Sequence, residues 1–381
     1  MYAYAGLEDF VLLYPVYAVL FADTGLDAAG ISSLFVIWSL AGFLLEVPSG
    51  VLADLLPRRT LLVLAPLLNG AGFALWTVAP SYPAFAAGFV LWGAGEALRS
   101  GTYQALAWTE LDRLDAADGY EQVIGRGRAL GLTAQLLAAA VAGPVLAAGG
   151  YRALGLASTA ALALCAVVAL TLPDSRAPGP KEGEEEPGFG SVLRGGLREL
   201  RRTPGARRAA LFWAVVTGVT ALDEYVPLLA DAVAPGPAAL PLLVGLVTAG
   251  AAVGGWLAGR GPRRAGGLLA VGAACLAGGA LSGHPAGLVL VAVAYGVFEW
   301  TMALADARLQ AAVSDRSRAT VTSLAGFGSE VLAVLVFAGY ALGSHVAGPG
   351  VLFAAGAVPY LLMSLSDFRE WRRRRSRTLK E

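Results

Sequence analysis

The chain has 381 residues, of which 56% are hydrophobic, 49 are glycine and only 15% are charged. A soluble domain of this size carries roughly 25% charged residues, and the composition is too apolar for a disordered chain. Acidic and basic residues balance at 28 each, so no global charge draws nucleic acid, and the chain is expected to be integral to a membrane.

In chain order, twelve segments offer the ~20 mostly apolar residues that a spanning helix needs. They are 3–22, 28–53, 59–79, 83–108, 128–149, 152–173, 208–231, 238–259, 264–282, 286–309, 318–343 and 348–366. Gly and Pro punctuate the short turns between them, as in Ala79-Pro80, Pro235-Gly236-Pro237 and Gly348-Pro349. Barrel strands would alternate apolar and polar residues, so the segments read as helices. No basic leader precedes the first, which reads as a signal anchor. Cys165 and Cys275 lie inside apolar runs and suggest neither a disulfide framework nor a metal cluster.

One connection is polar. Residues 174–206 pass from an acidic run, Glu182 and Glu184-Glu185-Glu186, into a basic stretch from Ser191 to Arg202. There Val192, Leu193, Leu197 and Leu200 are interleaved with Arg194, Arg198, Arg201 and Arg202, the pattern of an interfacial amphipathic helix on anionic lipid. The chain therefore divides into a six-helix bundle over 1–173, a linker over 174–206, a second six-helix bundle over 207–366 and a basic tail over 367–381. With both termini cytoplasmic, the inner loops hold Arg58, Arg59, Arg113, Arg126, Arg128, Arg260, Arg263, Arg264, Arg316 and Arg318. The run Arg372-Arg373-Arg374-Arg375 joins them, while the outer loops hold Arg152 as their one basic residue beside Asp23, Asp27 and Asp231. That bias follows the positive-inside rule.

The two halves align with each other. The stretch Gly50-Val51-Leu52-Ala53-Asp54-Leu55-Leu56-Pro57-Arg58-Arg59 matches Gly255-Trp256-Leu257-Ala258-Gly259-Arg260-Gly261-Pro262-Arg263-Arg264 without a gap. Gly93, Glu96, Asp112 and Arg113 match Gly296, Glu299, Asp315 and Arg316, and Tyr17, Leu20, Ala22 and Asp23 match Tyr225, Leu228, Ala230 and Asp231. Three matches in sequential order argue for duplication. Two parallel six-helix repeats are an architecture of rocking transporters.

At this point the whole chain resembles the major facilitator superfamily. The segment from Gly50 to Arg59 is similar to that superfamily's loop signature between its second and third helices. Its extension Glu46-Val47-Pro48-Ser49, and Ser100-Gly101 with Leu111, resemble a variant seen in bacterial permeases. The family's antiporter signature is half present, as Gly143-Pro144 followed late by Gly149-Gly150. The resemblance implies an all-α integral membrane fold of twelve transmembrane helices in two pseudo-symmetric six-helix bundles. It also implies a cytoplasmic gate of Gly50, Asp54, Arg58 and Arg59 with Glu110 and Asp112. Asp54 ends a helix and can meet the positive N-terminus of the eleventh span near Thr320. The arginines can pair with Glu110 or Asp112, or simply set topology, and Asp54→Asn is expected to shift the resting population. The second copy has Gly259 in place of Asp54, so the gate is asymmetric. Glu46 suits gating or packing.

Ionisable groups inside a membrane cost at least about 2.5–3.5 kcal/mol and mark functional sites. Glu96 and Arg99, three residues apart in the fourth span, share a helix face as a structural pair or as a substrate or proton site. Glu299 is the repeat partner of Glu96; Glu330 lies in the eleventh span, and Asp223 and Glu224 in the seventh. Glu299, Glu330 and Asp223 have no arginine within a helical turn. Glu8 and Asp9 read as interfacial groups near the cytoplasmic edge, and Asp306 and Arg308 as structural. Desolvated carboxylates suit a proton carrier. Aromatic residues such as Tyr14, Tyr17, Trp38, Trp92, Tyr225, Tyr295 and Trp300 offer cavity walls.

No nucleotide-binding loop is present: Lys181 and Lys380 are the only lysines, and neither sits in Gly-Lys-Ser/Thr. No cofactor is expected, and the partners are a small-molecule substrate, protons and the lipid bilayer, with a monomer sufficient. Aromatics and scattered acids favour a proton-coupled exporter of an amphipathic or cationic organic molecule. The incomplete antiporter signature and the Glu96–Arg99 pair favour a proton-coupled importer or facilitator of a polar nutrient. A membrane enzyme or receptor lacks support, because His284 and His345 fall in outer loops. Abundant Ala, Gly and Arg suggest a GC-rich bacterial genome and the bacterial cell membrane.

Overall fold

The computed structural model describes residues 1–173, 200–260, 266–314 and 318–378, with the backbone alone at 47, 48, 50, 51, 53–55, 319 and 366–378. Every regular element among the described residues is helical. In the first half these are α1 (Tyr2–Asp9), α2 (Tyr17–Asp23), α3 (Ala28–Leu55), α4 (Arg58–Val78), α5 (Tyr82–Arg99), α6 (Thr102–Arg113) and α7 (Tyr120–Leu170). In the second half they are α8 (Pro204–Val219), α9 (Val226–Asp231), α10 (Leu240–Trp256), α11 (Gly266–Leu281), α12 (Gly287–Ala312), α13 (Arg318–Gly343) and α14 (Pro349–Thr378).

Six of the described helical stretches are individually long and apolar enough to cross a membrane, and 240–256, 266–281 and 349–365 are shorter apolar helices. The chain separates into two compact units, Met1–Gly183 with Gly236–Gly245, and Glu184–Pro235 with Leu246–Glu381. The amphipathic helix expected over 191–202 lies outside the described residues except for helical positions 200–202. Arg263, Arg264, Asp315 and Arg316 also lie outside them.

Six expected spans differ in detail. The first is interrupted between Asp9 and Tyr17, where Pro15 has no N–H to donate and its ring would crowd the carbonyl four residues back. The seventh passes through a 3₁₀ turn over Thr220–Tyr225, just before Pro227. The fourth breaks at Ser100-Gly101, where Gly101 adopts φ 72°, a left-handed conformation that favours glycine. The fifth and sixth run together as α7, turning at Gly150 with φ 63°. The last span does not stop at 366, and its helix continues to Thr378.

A broken helix inside a bilayer must satisfy its freed backbone groups within the protein. In the first break the Leu13 N–H donates to Ser158 Oγ on α7 at 3.2 Å, and Ser158 donates onward to Leu154 O at 2.8 Å. Within the first unit α4 packs on α5 and α7, α3 on α5, and α1 on α7. Within the second, α11 packs on α12 and α14, and α8 on α12 and α13. The internal packing of the units thus repeats: third span on fourth and sixth, first on fifth.

Small residues let these helices approach. A Cβ at Gly93 on α5 would meet Gly42 N of α3 at 3.1 Å, and one at Gly296 on α12 would meet Gly250 O of α10 at 2.7 Å. The first unit also holds a continuous aromatic cluster of Tyr17, Phe21, Phe73, Trp76, Phe89 and Trp92, each ring within 6.2 Å of another. The Trp76 indole N–H donates to Phe85 O at 3.0 Å, which leaves this large side chain fully buried and satisfied.

Candidate functional site

Three carboxylates of the first unit and Arg99 gather where α1 ends. Glu8, in the last turn of α1, is 7% exposed and forms an ion pair with Arg99, its Oε1 lying 2.7 Å from Nε. Arg99 closes α5, so the ion pair joins the two helices at the level where both are interrupted. The ion-pair partner of Arg99 among the described residues is Glu8, which the sequence places at the membrane edge, while Glu96 three residues away also acts on it electrostatically. The reason is geometric. Residues i and i+3 share a helix face, but α1 delivers a carboxylate straight onto the guanidinium.

Glu96 is half-buried on the same face, beside the indole N–H groups of Trp38 and Trp92, which favour its charged form. Those indoles stack at 5.0 Å between centroids, and Tyr14 stacks on Trp92 at 5.4 Å. Asp9, the last residue of α1, accepts from Gln135 Nε2 of α7 at 3.1 Å. Tyr4, 0% exposed, stacks on Tyr103 at 5.8 Å, and its hydroxyl has no hydrogen-bond partner among the described residues. Three carboxylates and one guanidinium therefore share one neighbourhood with an aromatic wall.

The second unit repeats the placement with different chemistry. Asp223 and Glu224 stand in the 3₁₀ turn that interrupts the seventh span, Asp223 exposed and Glu224 half-buried. Glu299 on α12 is close enough to repel Asp223. Tyr295 precedes Glu299 by one helical turn, as Trp92 precedes Glu96. Phe298 of α12 stacks on Tyr360 of α14 at 3.8 Å between centroids. Glu330 sits on an exposed face of α13.

The gate residues divide. Arg58, 8% exposed, donates through Nη1 to Ala105 O at 3.0 Å and to Thr109 Oγ1, both on α6. Glu110 instead pairs with Arg113 at 3.2 Å, and Asp112 is exposed. Arg58 thus holds α6 through a carbonyl and a hydroxyl, where carboxylate partners were expected. The side chain of Asp54 and the site of Gly50 lie outside the described side-chain positions. Glu46 is exposed near the middle of α3, and its carbonyl accepts from Ser49 Oγ at 2.8 Å. Among the described residues no group of His, Cys, Asp and Glu is arranged to hold a metal ion.

Sequence reasoning missed Gln135, Ser158 and the weight of Glu8 and Asp9. A signal for the first existed. Gly127, Gly131 and Gln135 recur every fourth residue, placing an amide and two bare backbone positions on one face of an apolar helix.

The family model described as Major Facilitator Superfamily matches residues 2–338. No curated protein matches in sequence. Among solved structures, the nucleoside transporter NupG aligns over 97% of this chain and 98% of its own, with a TM-score of 0.71 and 13% identity. An auto-inhibited POT family peptide transporter aligns over 98% and 96%, with a TM-score of 0.72 and 15% identity. A bacterial homolog to the human lysosomal transporter Spinster aligns over 96% and 94%, with a TM-score of 0.67 and 16% identity.

Proposed function

The chain belongs to the Major Facilitator Superfamily, a family of transporters and not of enzymes, and we propose that it is a proton-coupled secondary transporter. It works by rocker-switch alternating access and exports a small amphipathic or cationic organic molecule. It spans the bacterial cell membrane twelve times as a monomer, with both termini cytoplasmic.

One observation carries this reading. Each unit places carboxylates at the interruption of its first helix and one more on its fourth: Glu8, Asp9 and Glu96 in the first, Asp223, Glu224 and Glu299 in the second. Helix interruptions that expose backbone and acidic groups at membrane depth occur where a site needs them. Three carboxylates against the one guanidinium of Arg99 leave the first set acidic, which suits a cation and exchangeable protons. The stacked rings of Tyr14, Trp38 and Trp92 beside Glu96 supply the faces on which an organic cation is held.

A second reading has its own support. The guanidinium of Arg99 matches a carboxylate-bearing nutrient, which makes the chain a proton-coupled importer. Purified protein in vesicles with a trapped pH dye separates the readings when pooled organic cations and polar nutrients are screened for substrate-driven proton movement. Counterflow of protons and a cationic substrate supports export. Co-movement with a carboxylate nutrient supports import, and substrate movement without protons ends the proton-coupled reading.

A further inference from the structure

The carboxylates of the first unit differ in what their partners can do. Glu8 faces a guanidinium, which has five N–H donors and no acceptor. Glu96 faces two indoles, each a donor only. Such partners serve an ionised carboxylate and offer nothing to the O–H of a protonated one. Asp9 faces the primary amide of Gln135, which both donates and accepts.

We infer that Gln135 is a positioning residue that holds Asp9 through both of its protonation states, making Asp9 the carboxylate of the first unit that takes up and releases the transported proton. When Asp9 is ionised, Gln135 Nε2 donates to Oδ1 at 3.1 Å, as observed. When Asp9 is protonated, acid and amide form a cyclic pair: the amide N–H donates to the acid carbonyl and the acid O–H donates to the amide Oε1.

A Cβ at Gly131 would fall on Asp9 Oδ2, so this oxygen packs directly over the bare glycine one turn before Gln135, a position that no larger residue would leave to it. Asp9 is also the final residue of α1, followed by the Phe10–Val16 interruption, so its side chain is not locked in a helical ladder on its C-terminal side. The titratable and charged groups around it are Glu8 on α1, Tyr14 in the interruption, Glu96 and Arg99 on α5, and Cys165 on α7. Arg99 pairs with Glu8 and also acts electrostatically on Asp9 and Glu96, the amide adds no charge, and a proton on Asp9 changes the net charge of the whole group by one.

The inference rests on the proton-coupled reading above, and infrared difference spectroscopy across a pH step tests it without any substrate. The full chain in lipid vesicles is expected to show a protonated-acid carbonyl band together with a change in a glutamine side-chain amide band. Asp9→Asn removes both. Gln135→Met removes the amide change, displaces the acid band and lowers substrate-driven proton flux about tenfold, the loss expected for one hydrogen bond to a charged group. Gln135→Met retains every titratable group, so it keeps the test decisive if Asp9→Asn does not reconstitute. Paired bands that survive in Asp9→Asn, or an acid band in Gln135→Met identical to that of the parent, overturn the inference. A parent with paired bands and no coupled flux supports the Asp9–Gln135 assignment and defeats the proton-coupled reading. Coupled flux without those bands does the reverse.

Discussion

At the scale of single residues, the buried polar groups are those whose removal has a calculable effect. Ser158 is 0% exposed and is the acceptor for the Leu13 N–H that the first helix interruption leaves free. Ser158→Ala strands that donor in an apolar surround, at a cost of about 1–3 kcal/mol. A thermal melt in detergent should fall accordingly, and Ser158→Thr, which retains the hydroxyl, should recover most of the loss. The Glu8–Arg99 pair lies between the surface and buried limits, because Glu8 is buried and Arg99 is partly exposed. Removing only the guanidinium, in Arg99→Met, should cost about 2 kcal/mol, and removing both charges, in Glu8→Gln with Arg99→Met, should cost less than the single change. A double-mutant cycle on melting temperature checks this. The carboxylates Glu96, Glu299, Asp223 and Glu224 were visible in the sequence as charges inside apolar runs. Their partners were not, because Glu8 meets Arg99 across 91 positions of chain and no local pattern encodes such a meeting.

At the scale of elements, the apolar segments predict where helix forms, and proline and glycine mark where it stops. Pro15 and Pro227 accompany the two repeat-related interruptions, and Gly101 accompanies the third. Gly101 holds φ 72° between the Glu8–Arg99 pair on one side and the Arg58 contacts to Ala105 and Thr109 on the other. Gly101→Ala should cost about 1–2 kcal/mol through the left-handed backbone, and it should stiffen the join between α5 and α6. Melting temperature reads the first effect and the transport rate at fixed substrate affinity reads the second. The crossing of α10 and α12 is equally exacting. A Cβ on Gly254 would strike Gly296 O, so Gly254→Val should destabilise the second unit by about 1–3 kcal/mol, the range of an overpacked contact.

At the scale of the whole molecule, the duplication seen in three short matches is also a duplication of packing. Both units set their third span against the fourth and sixth, and both interrupt the first beside a carboxylate. The chemistry did not stay symmetric. The first unit holds Arg99 on the fourth span, where the repeat-related position on α12 is Met302. The two acidic groups are therefore expected to respond differently to neutralisation. Glu299→Gln should weaken binding of a cationic substrate at least about tenfold, the worth of one charge-assisted contact. Glu8→Gln should alter stability more than affinity, since Glu8 already has its cation. Equilibrium binding in detergent, paired with melts of the same variants, measures both.

Composition and apolar run length determined by themselves that this chain is helical and membrane-bound, because a bilayer admits few other ways to satisfy a backbone. The internal matches around Gly50 to Arg59 and Gly255 to Arg264, and Glu96 with Glu299, likewise made the duplication and its acidic residues legible. Tertiary structure alone decided that Arg99 pairs with Glu8, that Arg58 holds α6 by a carbonyl and a hydroxyl, and that Gln135 reaches Asp9 over Gly131. The physical reason is that burial of an apolar face depends on each helix's own residues, whereas a polar contact depends on where two distant helices cross. That crossing is set by small residues such as Gly93, Gly131 and Gly254, whose effect is felt only once another helix lies against them.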